Sequence, residues 1–157
     1  MAKSISAGLL MYSNTETLRV MLAHPGGPYF AKKDEGAWTI PKGLVSDGEE
    51  LLTAAKREFI EETGYLLDDE TDYLSIGNIT LKSGKVVHGW AFAGDWEAGR
   101  IPTSNTFCME WPPRSGKQQE FVEIDRAEMF SVEDALRKIN ERQRPFIARL
   151  ESALREF

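Results

Sequence analysis

Residues 43–65 run GLVSDGEELLTAAKREFIEETGY. Leu51 to Thr63 are good helix formers with no glycine or proline among them, so the pattern predicts a helix. Asp47 and Glu50 have capping-box spacing ahead of it, and Gly64 stands where a helix terminator belongs. Leu52, Ala55 and Phe59 recur at helical spacing and are expected to face the core. Glu58, Glu61 and Glu62 stand at i, i+3 and i+4, which puts three carboxylates on one side of the helix. Their repulsion is unfavourable. So is their place in the C-terminal half, where backbone carbonyls gather partial negative charge and lysine or arginine is normally favoured. A divalent cation removes both penalties, because hard oxygen ligands suit Mg²⁺ or Mn²⁺. Taken alone, the three residues also fit an ordinary solvated glutamate-rich helix.

The surrounding pattern separates the two readings. Its fixed positions are Gly43, five residues, Glu49, seven residues, Arg57-Glu58-apolar, one residue, Glu61-Glu62, one residue, and Gly64-apolar. This resembles the signature of the Nudix (MutT-like) hydrolase family. Phe59 and Tyr65 stand where the family usually has aliphatic residues, a departure that bears on packing rather than chemistry. The resemblance implies an α/β fold, the Nudix-type α/β/α sandwich with a mixed β-sheet, over nearly the whole chain. It implies metal ligation by Glu58, Glu61 and Glu62, with a contribution from the Gly43 carbonyl. Arg57 is expected to pair with Glu49 and orient the helix against the preceding loop, since a guanidinium holds a carboxylate by two parallel hydrogen bonds.

The activity implied is metal-dependent cleavage of a phosphoanhydride bond in a nucleoside or dinucleoside polyphosphate, by attack of activated water on phosphorus. Two positions remain open for the general base. Glu61 lies inside the signature; outside it, Glu123 precedes Met129 by the six-residue interval that separates such a glutamate from an aromatic residue in some relatives, with Glu120 as the alternative. His88 reads better as a strand residue than as a base. A non-catalytic nucleotide sensor on the same fold is the competing reading, opposed by the retained glutamates. An isomerase for isoprenoid diphosphates needs a protonating pair, for which Cys108 is a poor candidate, and no nearby pattern activates that thiol as a nucleophile.

Just before the signature, Trp38-Thr-Ile-Pro-Lys42-Gly43 resembles the segment found in Nudix hydrolases of dinucleoside polyphosphates and oxidised nucleoside triphosphates. Lys42 is thereby a candidate for phosphate binding and Trp38 for stacking on a base. Tyr29, Phe30 and Trp111 are further stacking candidates, with core packing the competing use of every aromatic here. Asn105 to Gly116, with Pro112, Pro113 and Gly116, reads as a long loop able to line a pocket.

The rest of the chain is consistent with one domain over residues 1–157. Its 157 residues are 41% hydrophobic and 28% charged, enough for a core without cross-links, and a lone cysteine forms no intrachain bridge. The cytosol is the natural compartment for such a chain. Ile5–Tyr12 is too short and too interrupted for a secretory core and reads as a first strand, and no apolar run is long enough to cross a bilayer. A net charge of −6 disfavours nucleic-acid polymers as partners, and the basic residues from Lys138 to Arg155 read as solvated helix surface. Further strands are expected at Leu18–Ala23, Ala37–Ile40, Ile76–Leu81, Val86–Ala93 and Phe121–Ile124, with a hairpin turn at Lys82–Lys85. Ser131 opens one late amphipathic helix, and Phe146, Leu150 and Leu154 mark a last one.

Overall fold

The computed structural model describes residues 4–156. Strands β1 (Ile5–Ser13) and β2 (Arg19–Pro25) form an antiparallel pair, followed by β3 (Lys42–Leu44) and helix α1 (Leu51–Thr63). Strands β4 (Leu74–Thr80) and β5 (Val86–Ala93) make the expected hairpin. Next come β6 (Thr106–Glu110), β7 (Gln118–Val122), β8 (Ile124–Ser131), α2 (Val132–Lys138), a 3-10 turn at Glu141–Gln143 and α3 (Arg144–Arg155).

The main sheet is mixed, in the order β4-β5-β1-β2-β8, with β1 and β5 parallel and the other neighbours antiparallel. Its central strand is buried on both faces, which is why β1 reads as a nearly continuous apolar run. Alternation sorts those side chains: Ala7, Leu9 and Met11 pack with Ala54, Ala55 and Phe59 of α1, whereas Leu10 packs on the opposite face with Ala135 of α2 and Phe146, Ile147 and Leu150 of α3. One helix on one face and two on the other complete the α/β/α sandwich.

Strand β1 is shared along one edge by two partners. Strand β2 holds its C-terminal end through Tyr12 and Ser13, and β3 holds Ser6, Ala7 and Gly8 nearer its start. Between them the chain of residues 26–41 leaves the sheet and returns, and β3 carries Lys42 and Gly43 alongside α1, with Gly43 against Glu58.

Three local expectations are corrected. Asp47 and Glu50 do not form a capping box: Glu50 is the N-cap without a side-chain bond, and Ser46 N donates to Glu49 Oε1 at 3.1 Å. Glu49 is drawn inward by Arg57, which reorganises the turn. Ala37–Ile40 is not a regular strand; Trp38 and Thr39 make single bridges to Ile139 and Ala23. Asn105–Gly116 is not a long loop, because Thr106–Glu110 pairs antiparallel with Gln118–Val122 as a two-stranded ribbon. Strand β8 was not anticipated: Asp125, Arg126 and Glu128 interrupt its apolar residues, yet it pairs along β2 from Arg19 to Pro25. No helix of the described residues is long and apolar enough to cross a membrane.

Candidate functional site

Burial of Ala54, Ala55 and Phe59 against the sheet turns the glutamate face of α1 toward β3. The two elements meet so closely that a Cβ on Gly43 would stand 2.0 Å from Glu58 Oε2, so only glycine lets that carboxylate cross the β3 backbone. At the other end Gly64 closes the helix at φ 77°, with its N–H donating to the Ile60 carbonyl at 2.8 Å.

Arg57 organises the acidic groups. Its Nε and Nη2 donate to Glu49 Oε2 and Oε1, each at 2.9 Å, in the bidentate geometry expected for this pair. Nη1 donates to Glu58 Oε1 at 2.8 Å and Glu61 Oε2 at 3.1 Å, and Nη2 also reaches the Leu44 carbonyl at 3.1 Å. The guanidinium pins α1 to the β3–α1 loop and is itself held more firmly protonated, chiefly by Glu49. In return it draws the Glu49 carboxyl down to about 2, helped by the Ser46 amide.

Glu58 and Glu62 move the other way. Burial raises the Glu58 carboxyl despite its bond to Arg57, and the charge of Glu61 adds to the rise. Burial pushes Glu62 up to about 8, with the charges of Glu58 and Glu123 acting in the same direction and Lys42 opposing them. Lys42 is lowered by burial and by the nearby charge of Lys85. These shifts mark a site where partly desolvated like charges are held together by the fold.

All of these groups open on one cavity of about 470 Å³, which gathers Glu58, Glu61, Glu62 and Glu123 with Lys42, Lys85 and the Gly43 backbone. Cavities of about 380 Å³ beside Trp96 and about 650 Å³ beneath α3 gather no more than two carboxylates each. Glu123 arrives from the β7–β8 junction, where its amide donates to the Asn105 carbonyl at 2.8 Å. Among the described residues no three His, Cys, Asp or Glu side chains converge closely enough to enclose a metal ion, and Arg57 bonds two of the carboxylates. The donor chemistry nevertheless fits a hard divalent cation: clustered carboxylate oxygens carry charge that burial makes costly, with no thiol or imidazole lining the cavity.

The structure separates the remaining candidates. Trp38 does not reach the site: it is 1% exposed in the core, its Nε1 donates to Asp34 Oδ1 at 2.8 Å, and it meets His24 and Phe130 edge to face. Packing claims the ring, so the expected base-stacking role for Trp38 is corrected. Glu120 lies on the ribbon opposite Cys108, and His88 in the sheet beside Ala7 and Asn78; neither lines the cavity. Tyr29 is exposed and meets Trp111 edge to face at 5.5 Å. Asn105 and Thr106 line the cavity from the segment expected to border a pocket, whereas Lys85 and Ser6 line it without having been foreseen. Their positions depend on strand pairing; the only local trace of one was the Lys82–Lys85 turn.

Comparison with known proteins agrees with this architecture. The family model described as NUDIX domain matches residues 3–150. Nudix hydrolase 10 of Arabidopsis thaliana is 32% identical over 101 residues, covering 64% of this chain and 30% of that protein. An RNA pyrophosphohydrolase of Novosphingobium aromaticivorans is 48% identical over 50 residues, covering 29% of this chain and 31% of that protein. The matched stretches thus span less than a third of these relatives. Among solved structures, a C. elegans Ap4A hydrolase binary complex superposes with a TM-score of 0.66 at 21% identity, covering 97% of this chain and 99% of that one. The NUDIX domain of Shewanella oneidensis NrtR, complexed with ADP ribose, gives 0.62 at 15% identity, covering 98% and 90%. These two share the fold, and NUDIX proteins generally use divalent metal cations. With the family model spanning nearly all of its length and the α/β/α sandwich in place, the chain belongs to the NUDIX family.

Proposed function

We propose that this chain is a pyrophosphohydrolase, cleaving a phosphoanhydride bond in a nucleoside or dinucleoside polyphosphate by attack of activated water on phosphorus. One observation carries the reading: four carboxylates and two lysines share a single open cavity of about 470 Å³. A polyphosphate is repelled by the first set and attracted by the second, so the site needs a divalent cation to become complementary to it. Glu58, Glu61 and Glu62, with the Gly43 carbonyl, are the groups that would hold Mg²⁺, or Mn²⁺ in its place. The cation supplies charge neutralisation at the phosphates and a lower pKa for attacking water.

The remaining roles belong to the chain's own side chains. Arg57 fixes the helix face through its bidentate grip on Glu49. Glu123 enters the cavity from a different element than the glutamates of α1 and is the best placed to accept the proton of the attacking water; Glu61 is the alternative within α1. Lys42 neutralises phosphate charge from β3. The partner is a small nucleotide rather than a nucleic-acid polymer or a membrane, and we place the protein in the cytoplasm. Retention of every carboxylate of the signature favours an enzyme over a nucleotide sensor.

The test is a panel of nucleotides and other diphosphate compounds, with products identified after reaction in isotopically labelled water. Turnover that requires Mg²⁺ or Mn²⁺ and stops on chelation is expected, with the label in one phosphate product. Absence of turnover across the panel, with metal binding verified, rejects the enzyme and leaves the sensor.

A further inference from the structure

Lys42 and Lys85 come from elements on either side of β1. Lys42 stands on β3, in register with Gly8. Lys85 ends the β4–β5 turn, directly before Val86, which pairs with Ile5. Ser6 lies between them in the sheet, its pairing partners being Leu44 on β3 and Val87 on β5. Both lysines line the same cavity, yet neither forms an ion pair within it among the described residues. Two ammonium groups facing one cavity from either side of β1 repel each other unless something of opposite charge lies between them. Three of the four carboxylates that share the cavity with them, Glu58, Glu61 and Glu62, are the groups that would hold a cation.

The carboxylates already account for a cation and for the phosphates it would bridge. The lysine pair carries a further double positive charge, supplied by other elements. A phosphate at the end of a chain carries close to two negative charges at neutral pH, whereas one esterified on both sides carries one. We propose that Lys42 and Lys85 together seat the free terminal phosphate of the substrate, so that the site prefers nucleoside polyphosphates with an open end over dinucleoside polyphosphates of equal phosphate number. This rests on the pyrophosphohydrolase reading and chooses between its two substrate classes, and it gives Lys85 a specificity-determining role.

The experiment compares a nucleoside triphosphate with the matched P1,P3-dinucleoside triphosphate on wild-type protein and on Lys85→Met, Lys85→Arg and Lys82→Met. Lys82 shares the hairpin but lines the cavity beneath α3 with Asn78 and Arg142, which makes it the control. Loss of one charge-assisted hydrogen bond predicts that Lys85→Met lowers kcat/KM for the open-ended substrate about 10- to 100-fold, mainly through KM. The capped substrate should change by less than about threefold, as expected where the lost group makes no contact. Lys85→Arg should recover most of the loss, and Lys82→Met should alter neither substrate.

Calorimetric titration with inorganic tripolyphosphate in the presence of Ca²⁺ supplies a readout without turnover. Wild-type protein should bind it, with an affinity about tenfold or more above that of Lys85→Met. Equal losses on both substrates, unchanged kinetics in Lys85→Met, or tripolyphosphate binding indifferent to Lys85 overturns the proposal. If wild-type protein hydrolyses neither nucleotide, the pyrophosphohydrolase reading fails for these substrates, and the tripolyphosphate titration still decides the phosphate seat.

Discussion

Helices α1 and α2 flank opposite faces of the same sheet and obey different local rules. In α2, the Ser131 hydroxyl accepts from Asp134 N at 3.2 Å, Glu133 and Asp134 occupy the first turn, and Arg137 and Lys138 occupy the last. Cap and charges agree with the helix dipole. In α1 the N-cap Glu50 makes no side-chain bond, the first turn has no acidic residue and the last turn no basic one, while Glu61 and Glu62 stand near the negative end. What keeps α1 helical is burial of Ala54, Ala55 and Phe59, the αL closure at Gly64 and the Arg57 network. Burying Phe59 alone contributes roughly 1.5–3 kcal/mol, and Ala54 and Ala55 add to it, which offsets part of the cost of holding partly buried like charges together. Where local preference and charge agree, the helix is architecture; where packing must override charge, the misplaced groups mark a site.

The sharpest way to break this contrast is to neutralise the glutamates. Glu61→Gln and Glu62→Gln should each lower kcat by about 100-fold or more, as for groups holding the reacting constellation. At the same time the metal-free Tm should stay level or rise, because repulsion is relieved; near-normal activity at limiting Mg²⁺ would remove the metal assignment. Arg57→Lys tests whether the bidentate grip matters: a point charge cannot reproduce the fork, and turnover should fall about tenfold with the glutamates intact. A variant with unchanged kinetics would reduce Arg57 to a surface contact.

In α2 the expectation reverses. Ser131→Ala should cost about 1 kcal/mol of stability, seen in denaturant unfolding, and leave kcat/KM within about twofold. A larger catalytic effect would show that α2 is coupled to the site.

The smallest effect is a slope. Glu62 is raised from 4.5 to about 8 in the fold, so between those values the folded state binds more protons than the unfolded one. Metal-free stability from this group therefore falls as pH rises through that window. Melting curves from pH 5 to pH 8 with a chelator should show the decline flattened in Glu62→Gln, within about that same window. Saturating Mg²⁺ should restore stability at the upper end, because it binds the folded carboxylates. A pH dependence identical in wild type and variant would place the raised proton elsewhere.

Much of the framework was legible because it is written in short-range periodicity. Helix α1 occupies Leu51–Thr63 as read, Gly64 ends it, Ser131 caps α2, and the β4–β5 turn falls at Lys82–Lys85. Legibility failed where distant partners competed with local signals. The Asp47–Glu50 capping box does not form, Trp38 is absorbed by the core, and β8 emerges from a charged stretch because β2 offers it an edge. The prolines at Pro112 and Pro113 suggested a loop, although they occupy only the bend of a paired ribbon.

What the amino-acid order determined by itself was the family, the acidic face of α1 and the partnership of Arg57 with Glu49, since each depends on spacing within about two helical turns or one adjoining loop. Only the tertiary structure decided which other residues meet that face. Glu123 is brought in by the β7–β8 junction, Lys42 by pairing of β3 with β1, and Lys85 by the parallel pairing of β5 on the other side. Long-range pairing sets those neighbours, and it is specified by the summed burial of both sheet faces rather than by any motif around the residues themselves.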